Sequence, residues 1–229
     1  MKKTLRLIGL VFLILIVALF AFYMVKNESL PEGTASTEAD ALAQKMMQAM
    51  NKAAWDSTKS VSWTFRGEHD YEWNRVDHSV VVTWGDYRVL LNPAEQSGEV
   101  YLNNELLREE KAAPYVKQAW DFFNNDSFWL AAPFKAFDPG TERRIVECAD
   151  GREGLMVTYT SGGTTPGDSY VWILGDDFRP VACKMWVDII PTGGIEFTWE
   201  DYTTLPGGAI VARQHKALGL LNVDLSEIK

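Results

Sequence analysis

Cysteine is scarce in this chain: Cys148 and Cys183 are the only two in 229 residues. Two thiols can form at most one bridge, which excludes a scaffold held by crosslinks and a cysteine-built zinc site. Histidine is scarce as well, with three residues. Basic residues are outnumbered, 22 Lys and Arg against 31 Asp and Glu, for a net charge of −9. Four of those cations, Lys2, Lys3, Arg6 and Lys26, fall within the first 26 residues, which carry no acid, so the remainder is more acidic still. Phosphates are held by clustered Lys and Arg, so the body is not expected to bind nucleic acid or anionic headgroups by charge. No G-x-S-x-G elbow, P-loop or H-E-x-x-H is present. The chain contains no convincing catalytic site, and no cofactor or metal is expected.

What is present begins with one long apolar run, Leu7 to Val25. At about 1.5 Å per residue it spans a hydrocarbon core of roughly 30 Å. The cations before it place the N-terminus in the cytoplasm and the rest across the membrane. A cleaved signal peptide is the rival reading, weakly allowed by Ala18 and Ala21. Its apolar region is ordinarily about 7–15 residues long and ends in small side chains. This run is longer and ends in Phe22-Tyr23-Met24, which favours an uncleaved signal anchor. The expected order is an anchor over residues 1–26, a polar tether over 27–37 and an exported domain over 38–229. The protein would be single-pass in the inner membrane with its C-terminal domain in the periplasm.

Thr37 is expected to cap a helix over about 38–55, with Glu38 and Asp40 in its first turn, where negative charge suits the macrodipole. Leu42, Met46 and Met50 recur at helical spacing. A helix packed on a sheet accounts for them. Met46, Met47 and Met50 also suit an adaptable lid over a bound lipid, since methionine moulds to irregular partners. A second helix is expected over Ala113–Asn124.

Most of the rest alternates as strands. Val61, Trp63 and Phe65 form an apolar face against Ser62, Thr64 and Arg66. Strands follow at Ser79–Trp84, Tyr87–Leu91 and Glu99–Leu102, with Asn103-Asn104 a tight turn. Phe128–Ala132 is a short apolar run ended by Pro133, and strands fall at Arg143–Cys148, Gly154–Thr160 and Ser169–Leu174. Between Val171 and Lys216 four strands are expected, joined by turns at Gly175-Asp176-Asp177, Pro191-Thr192-Gly193-Gly194 and Pro206-Gly207-Gly208, where Gly and Pro supply the turn geometry. Ile195, Phe197 and Trp199 alternate with Glu196, Thr198 and Glu200. Ser161-Gly162-Gly163 is a turn, and Leu218–Ile228 a last strand or loose end. Nine tryptophans suit cores, cavities and interfaces.

The closing pattern resembles that of LolA-like outer-membrane lipoprotein carriers. It comprises Arg179-Pro180 after a Gly/Asp turn, a Gly-Gly hairpin, Phe197-x-Trp199-Glu200-Asp201-Tyr202, and Pro206-Gly207-Gly208 before a last strand. The opening helix leading into Val61–Phe65 and the helix interrupting the meander fit it as well, and Asn125–Arg143 is similar to an uncharacterised branch of such proteins. The resemblance spans most of residues 38–216 and implies an α+β, mostly β fold. An antiparallel meander forms an open half-barrel, with two or more helices as lid over an apolar cavity for acyl chains. Cavity candidates are Met46, Met50, Trp63, Phe65, Trp172, Phe197 and Trp199, each equally at home in a solid core. A retained anchor departs from a free shuttle and favours a tethered acceptor, donor or sensor. The partners implied are a lipid or acylated protein, the inner membrane and an envelope protein.

Other polar constellations read as structure. His69 and His78 flank an expected turn and, with Asp70 and Asp77, resemble a metal set, but hairpin surface residues account for them. His215, in the basic stretch Arg213–Lys216, is expected to be solvated. Glu200-Asp201 and Asp176-Asp177 adjoin turns, where acids bond locally. In a simple meander the strands of Cys148 and Cys183 lie three apart, beyond the ~7 Å that separates bonded Cα atoms, so buried free thiols are expected. Two alternatives stand beside ligand binding: a scaffold without ligand, marked by an exposed apolar patch, and a hydrolase depending on His69 or His78.

Overall fold

The computed structural model describes residues 27–161 and 165–229, together with Leu10 and Phe12. The expected anchor otherwise lies outside the described residues, as do Gly162 and Gly163 of the expected turn. Among the described residues no helix is long and apolar enough to cross a membrane.

Among the described residues from 27 onward, fifteen strands and three α-helices follow one another: β1 (Gly33–Thr34), α1 (Thr37–Ala49), α2 (Lys52–Ser57), β2 (Ser60–Phe65), β3 (His69–Asn74), β4 (Ser79–Trp84), β5 (Tyr87–Asn92), β6 (Ser97–Leu102), β7 (Glu105–Leu106), α3 (Glu109–Ala131), β8 (Thr141–Glu147), β9 (Glu153–Tyr159), β10 (Ser169–Leu174), β11 (Pro180–Trp186), β12 (Ile195–Thr198), β13 (Glu200–Thr204), β14 (Ile210–Ala217) and β15 (Leu221–Ser226). All strand pairs are antiparallel, in two sheets ordered β1-β8-β9-β10-β11-β12 and β13-β14-β15-β2-β3-β4-β5-β6-β7. The sheets join where β12 and β13 form the two halves of one interrupted strand. Its first half pairs with β11 and its second with β14. At the break, Trp199 N donates to Val181 O at 2.9 Å. Among the described residues, edges β1 and β7 do not pair with each other, so the wall is open.

One face of this wall carries the main core. Helix α3 packs against β5 and β6 at one side and β14 at the other, and α1 against β8 and β9. The alternation read in β2 holds: Val61, Trp63 and Phe65 are buried. Asn103 and Asn104, both at positive φ (51° and 66°), make the tight turn between β6 and β7, a geometry asparagine tolerates because its short side chain bonds locally.

Several expectations fail on tertiary detail. Ser36, not Thr37, caps α1, accepting from Ala39 N. The first helix breaks at Met50, and Asn51, in the left-handed region at φ 58°, caps α2. Five strands rather than four cross residues 169–217, because Trp199 divides one. The largest error concerns α3. The second helix is expected to end at Asn124, with Phe128–Ala132 a separate short apolar run, yet the helix runs unbroken to Ala131. Ala112, Val116, Ala119, Phe123, Asp126 and Leu130 are buried at helical spacing, and Asp126 finds partners across the interface that satisfy it inside a helix.

Residues 27–34 are laid against the wall rather than left as a free tether. Gly33 and Thr34 pair with Val146 and Ile145 of β8. A Cβ on Gly33 would come within 2.5 Å of Val146 Cγ1, so glycine permits the close approach. Beneath lies a second, smaller core of Val146, Cys148, Met156, Val171, Ile173 and Ala182, with Trp186 at its edge.

Candidate functional site

The seven cavity candidates all lie in the packed interior. Met46, Met50, Trp63, Phe65, Trp172, Phe197 and Trp199 are each buried. Helix α3 fills the space over them with aromatic rings and divides them into two groups. Phe123 meets Trp63 at 6.4 Å between ring centroids, along with Tyr71 and Trp73. Phe128 faces Trp172 at 6.3 Å and Trp199 at 6.2 Å. Trp129 lies 4.8 Å from Phe197 and stacks on Trp199 at 5.8 Å. Offset and edge-to-face ring pairs add about 1 kcal/mol each beyond burial.

A pocket of about 180 Å³ remains where α3 meets the ends of β10 and β11. Phe128, Trp129, Tyr159, Tyr170, Met185 and Val187 line its body, and Ile189 and Ile190 its lip. Asp168 stands in the wall. Its Oδ1 accepts from Asp188 N at 3.0 Å and its Oδ2 from the Thr165 hydroxyl at 2.5 Å, which holds the 187–190 loop in place. Burial, with Asp168 nearby, pushes the Tyr170 phenol well above its ordinary range, so it stays neutral. The pocket is close in size to an engineered apolar cavity of about 150 Å³ that takes up benzene. It falls below the roughly 300 Å³ at which drug-sized sites begin. A long chain therefore enters only if the 187–190 loop or α3 gives way.

A larger hollow, about 800 Å³, is an open groove across the outward-facing residues of β2, β3 and β4, among them Ser60, Ser62, Glu72, Asn74 and Ser79. Its lining also takes in Ser57–Lys59 at the end of α2, the Leu205-Pro206-Gly207 turn and Lys229, and it gathers no buried charge.

Two polar features escaped the sequence. Asp126, 1% exposed, accepts from Tyr71 Oη at 2.5 Å and lies 2.7 Å from His69 Nδ1, both at Oδ2. Phe122 covers the imidazole at 4.0 Å. The arrangement pins α3 to β3. His78 lies in the turn between β3 and β4, at the far end of β3 from His69, and His69, expected on a hairpin surface, instead lies against Asp126 with its side chain 14% exposed. Among the described residues no three His, Cys, Asp or Glu side chains gather to hold a metal. The spacing His69-x-Tyr71 on one strand was visible, but nothing local pointed to Asp126.

His215 corrects the sequence reading outright. It is fully buried, not solvated, and packs against Trp199 with the rings tilted and their centroids 3.9 Å apart. Neither ring nitrogen reaches a hydrogen-bond partner. Burial lowers its pKa to about 3, with the Thr198 and Trp129 main chains working weakly in the opposite direction. The alternation His215-x-Ala217, buried against exposed Lys216, read inward rather than as part of a basic run, was the missed signal.

The cysteines are free and buried, as expected. Lys184, 2% exposed on the outer face of β11, is paired with Glu28 at 2.9 Å and Asp150 at 3.2 Å. Burial opposes its charge, but the two carboxylates outweigh it and raise the ammonium pKa. Glu28 is further fixed by Trp186 Nε1, which donates to its carbonyl at 2.8 Å, and Gly193 N donates to Asn27 Oδ1 at 2.8 Å.

No family model matches the chain, and no curated protein matches it in sequence. Two solved structures are similar in fold outline. One is a DUF1329 family protein from Desulfovibrio piger, with TM-score 0.41 and 13% identity, covering 84% of this chain and 91% of that one. The other is a putative outer membrane lipoprotein-sorting protein domain from Vibrio parahaemolyticus, with TM-score 0.34 and 10% identity, covering 82% and 92%. At these values neither likeness decides what this chain binds.

Proposed function

We propose that this protein is a membrane-tethered periplasmic module that binds a lipid, or the acyl chains of an acylated protein, on the concave side of an open half-barrel. The observation that carries the reading is the pocket at the end of α3, walled by Phe128, Trp129, Tyr170, Met185 and Val187 and opening past Ile189 and Ile190. The pocket has an aromatic and aliphatic wall on one side and a polar side made by Asn124, Asn125, Ser127, Lys135, Thr165 and Asp168, a lining that suits an apolar chain carrying a polar head, which the loop can admit. The apolar run Leu7–Val25 supports residence in the inner membrane.

The test is native mass spectrometry of the full chain, expressed with export and released from mild detergent. A co-purifying mass of lipid size is expected, and it should be lost in Val187→Trp, whose indole fills the pocket, while the far-UV circular dichroism stays unchanged. A clean protein mass with no uptake of added phospholipid or lipopeptide would overturn the reading. The competing scaffold role rests on the exposed apolar turns at Ile189 and Leu220.

A further inference from the structure

Two connections at one end of the wall expose large apolar side chains. Ile189, in the loop between β11 and β12, is 69% exposed. In the turn between β14 and β15, Leu218, Leu220 and Leu221 are 40%, 89% and 49% exposed. They belong to the same rim. β11 ends and β12 begins there, with Met185 opposite Ile195. β14 runs beside β12, where Lys216 N donates to Thr198 Oγ1 at 3.0 Å, and ends at Ala217 toward the same side. The lip of the pocket, Ile189 and Ile190, is part of this rim.

The described chain starts at that rim as well. Asn27 and Glu28 are bonded to both sides of Gly193, through Asn27 Oδ1 and Glu28 N. A Cβ on Gly194, at φ 79°, would come within 2.7 Å of the Glu28 Cβ, so the seat is built for this segment. The apolar run ends at Val25. Two residues reach at most about 7 Å, so a chain that leaves a bilayer at Val25 and is docked at Asn27 holds this rim against the bilayer surface.

We propose that the 187–194 loop and the 218–221 turn form a membrane-contact rim that rests in the periplasmic leaflet of the anchoring bilayer and sets the pocket mouth on it. This rests on the tethered reading above and deepens it. An acyl chain can then pass between leaflet and pocket without crossing water. Because the body is acidic, the contact is apolar rather than electrostatic and requires no anionic lipid.

The experiment uses the full chain in phosphatidylcholine vesicles containing spin-labelled lipid. Ile189→Cys, Leu220→Cys and, at the opposite rim in the β10–β11 turn, Asp176→Cys each carry a fluorophore; Cys148 and Cys183 are buried and stay unlabelled. The expected result is strong quenching at 189 and 220 and none at 176. Equal quenching at all three sites, no quenching at 189 and 220, or a chain that fails to float with the vesicles would overturn the proposal. Quenching at the rim together with a clean apo mass would leave the membrane contact standing and remove the lipid-binding reading.

Discussion

His215 and Asp126 are polar groups that the fold buries in opposite ways, one without a hydrogen-bond partner on either ring nitrogen and one with three partners, His69, Tyr71 and Asn125. An unfolded chain protonates histidine below about pH 6.5, whereas the folded one resists until about pH 3 because burial disfavours the cation. Between these values the unfolded state binds more protons, so stability is full above about pH 6.5 and falls with acid by roughly 1.4 kcal/mol per pH unit. His215→Leu should flatten that part of the curve by about one proton. Urea midpoints between about pH 4 and 7 would show it, and parallel curves for the two proteins would refute it. For Asp126, removal of the carboxylate strands His69, covered by Phe122, and Tyr71, packed against Trp63 and Phe123. Asp126→Ala should cost about 3 kcal/mol in urea denaturation. In a Tyr71→Phe background the loss should be smaller, because the two groups share one bond.

Helices α1 and α3 are specified differently. In α1 the Ser36 cap, the acidic first turn and the buried Ala39, Ala43 and Met46 agree with one another, so Ser36→Ala should cost about 1 kcal/mol. Arg143 Nε reaches Asp40 at 2.5 Å and ties that first turn to β8. In α3 local signals conflict with the outcome. Pro114 sits inside the helix, exposed, and removes a backbone donor. Pro114→Ala should raise stability by about 1 kcal/mol or more, below the ~3 kcal/mol of a central helix position because it lies near the start. A thermal melt with no upward shift would mean that the sheet, not the helix backbone, carries that turn.

Over the whole molecule, the segment expected to be a tether does structural work. It completes an edge, covers the outer core at Trp186 and neutralises the buried Lys184. A fragment starting at Ala35 should be less stable than one starting at Asn27 by about 3 kcal/mol, since it leaves Lys184 with Asp150 alone and opens that core. Equal melting temperatures would mean that the docked segment adds nothing. The same docking fixes which rim faces the end of the apolar run, and so links the pocket, the exposed leucines and the proposed bilayer contact.

Periodicity and turn chemistry were enough to read most of the wall from the residues alone. β4 and β10 fall within their expected bounds, and the Asn103-Asn104 turn and the two free thiols stand where strand alternation and spacing put them. These are short-range properties: period two, positive φ, reach along a strand. What the chain could not disclose was decided by partners distant in sequence. Asp126 continues a helix because His69 and Tyr71 wait on another element. His215 is buried because Trp199 and Trp129 close over it. The seven cavity candidates are covered because α3 runs on to Phe128 and Trp129, leaving a small pocket at its end rather than an open hollow. A sequence sets which faces are apolar, but only the assembled fold sets what fills the space between them, because filling depends on side chains that meet across more than fifty residues of intervening chain.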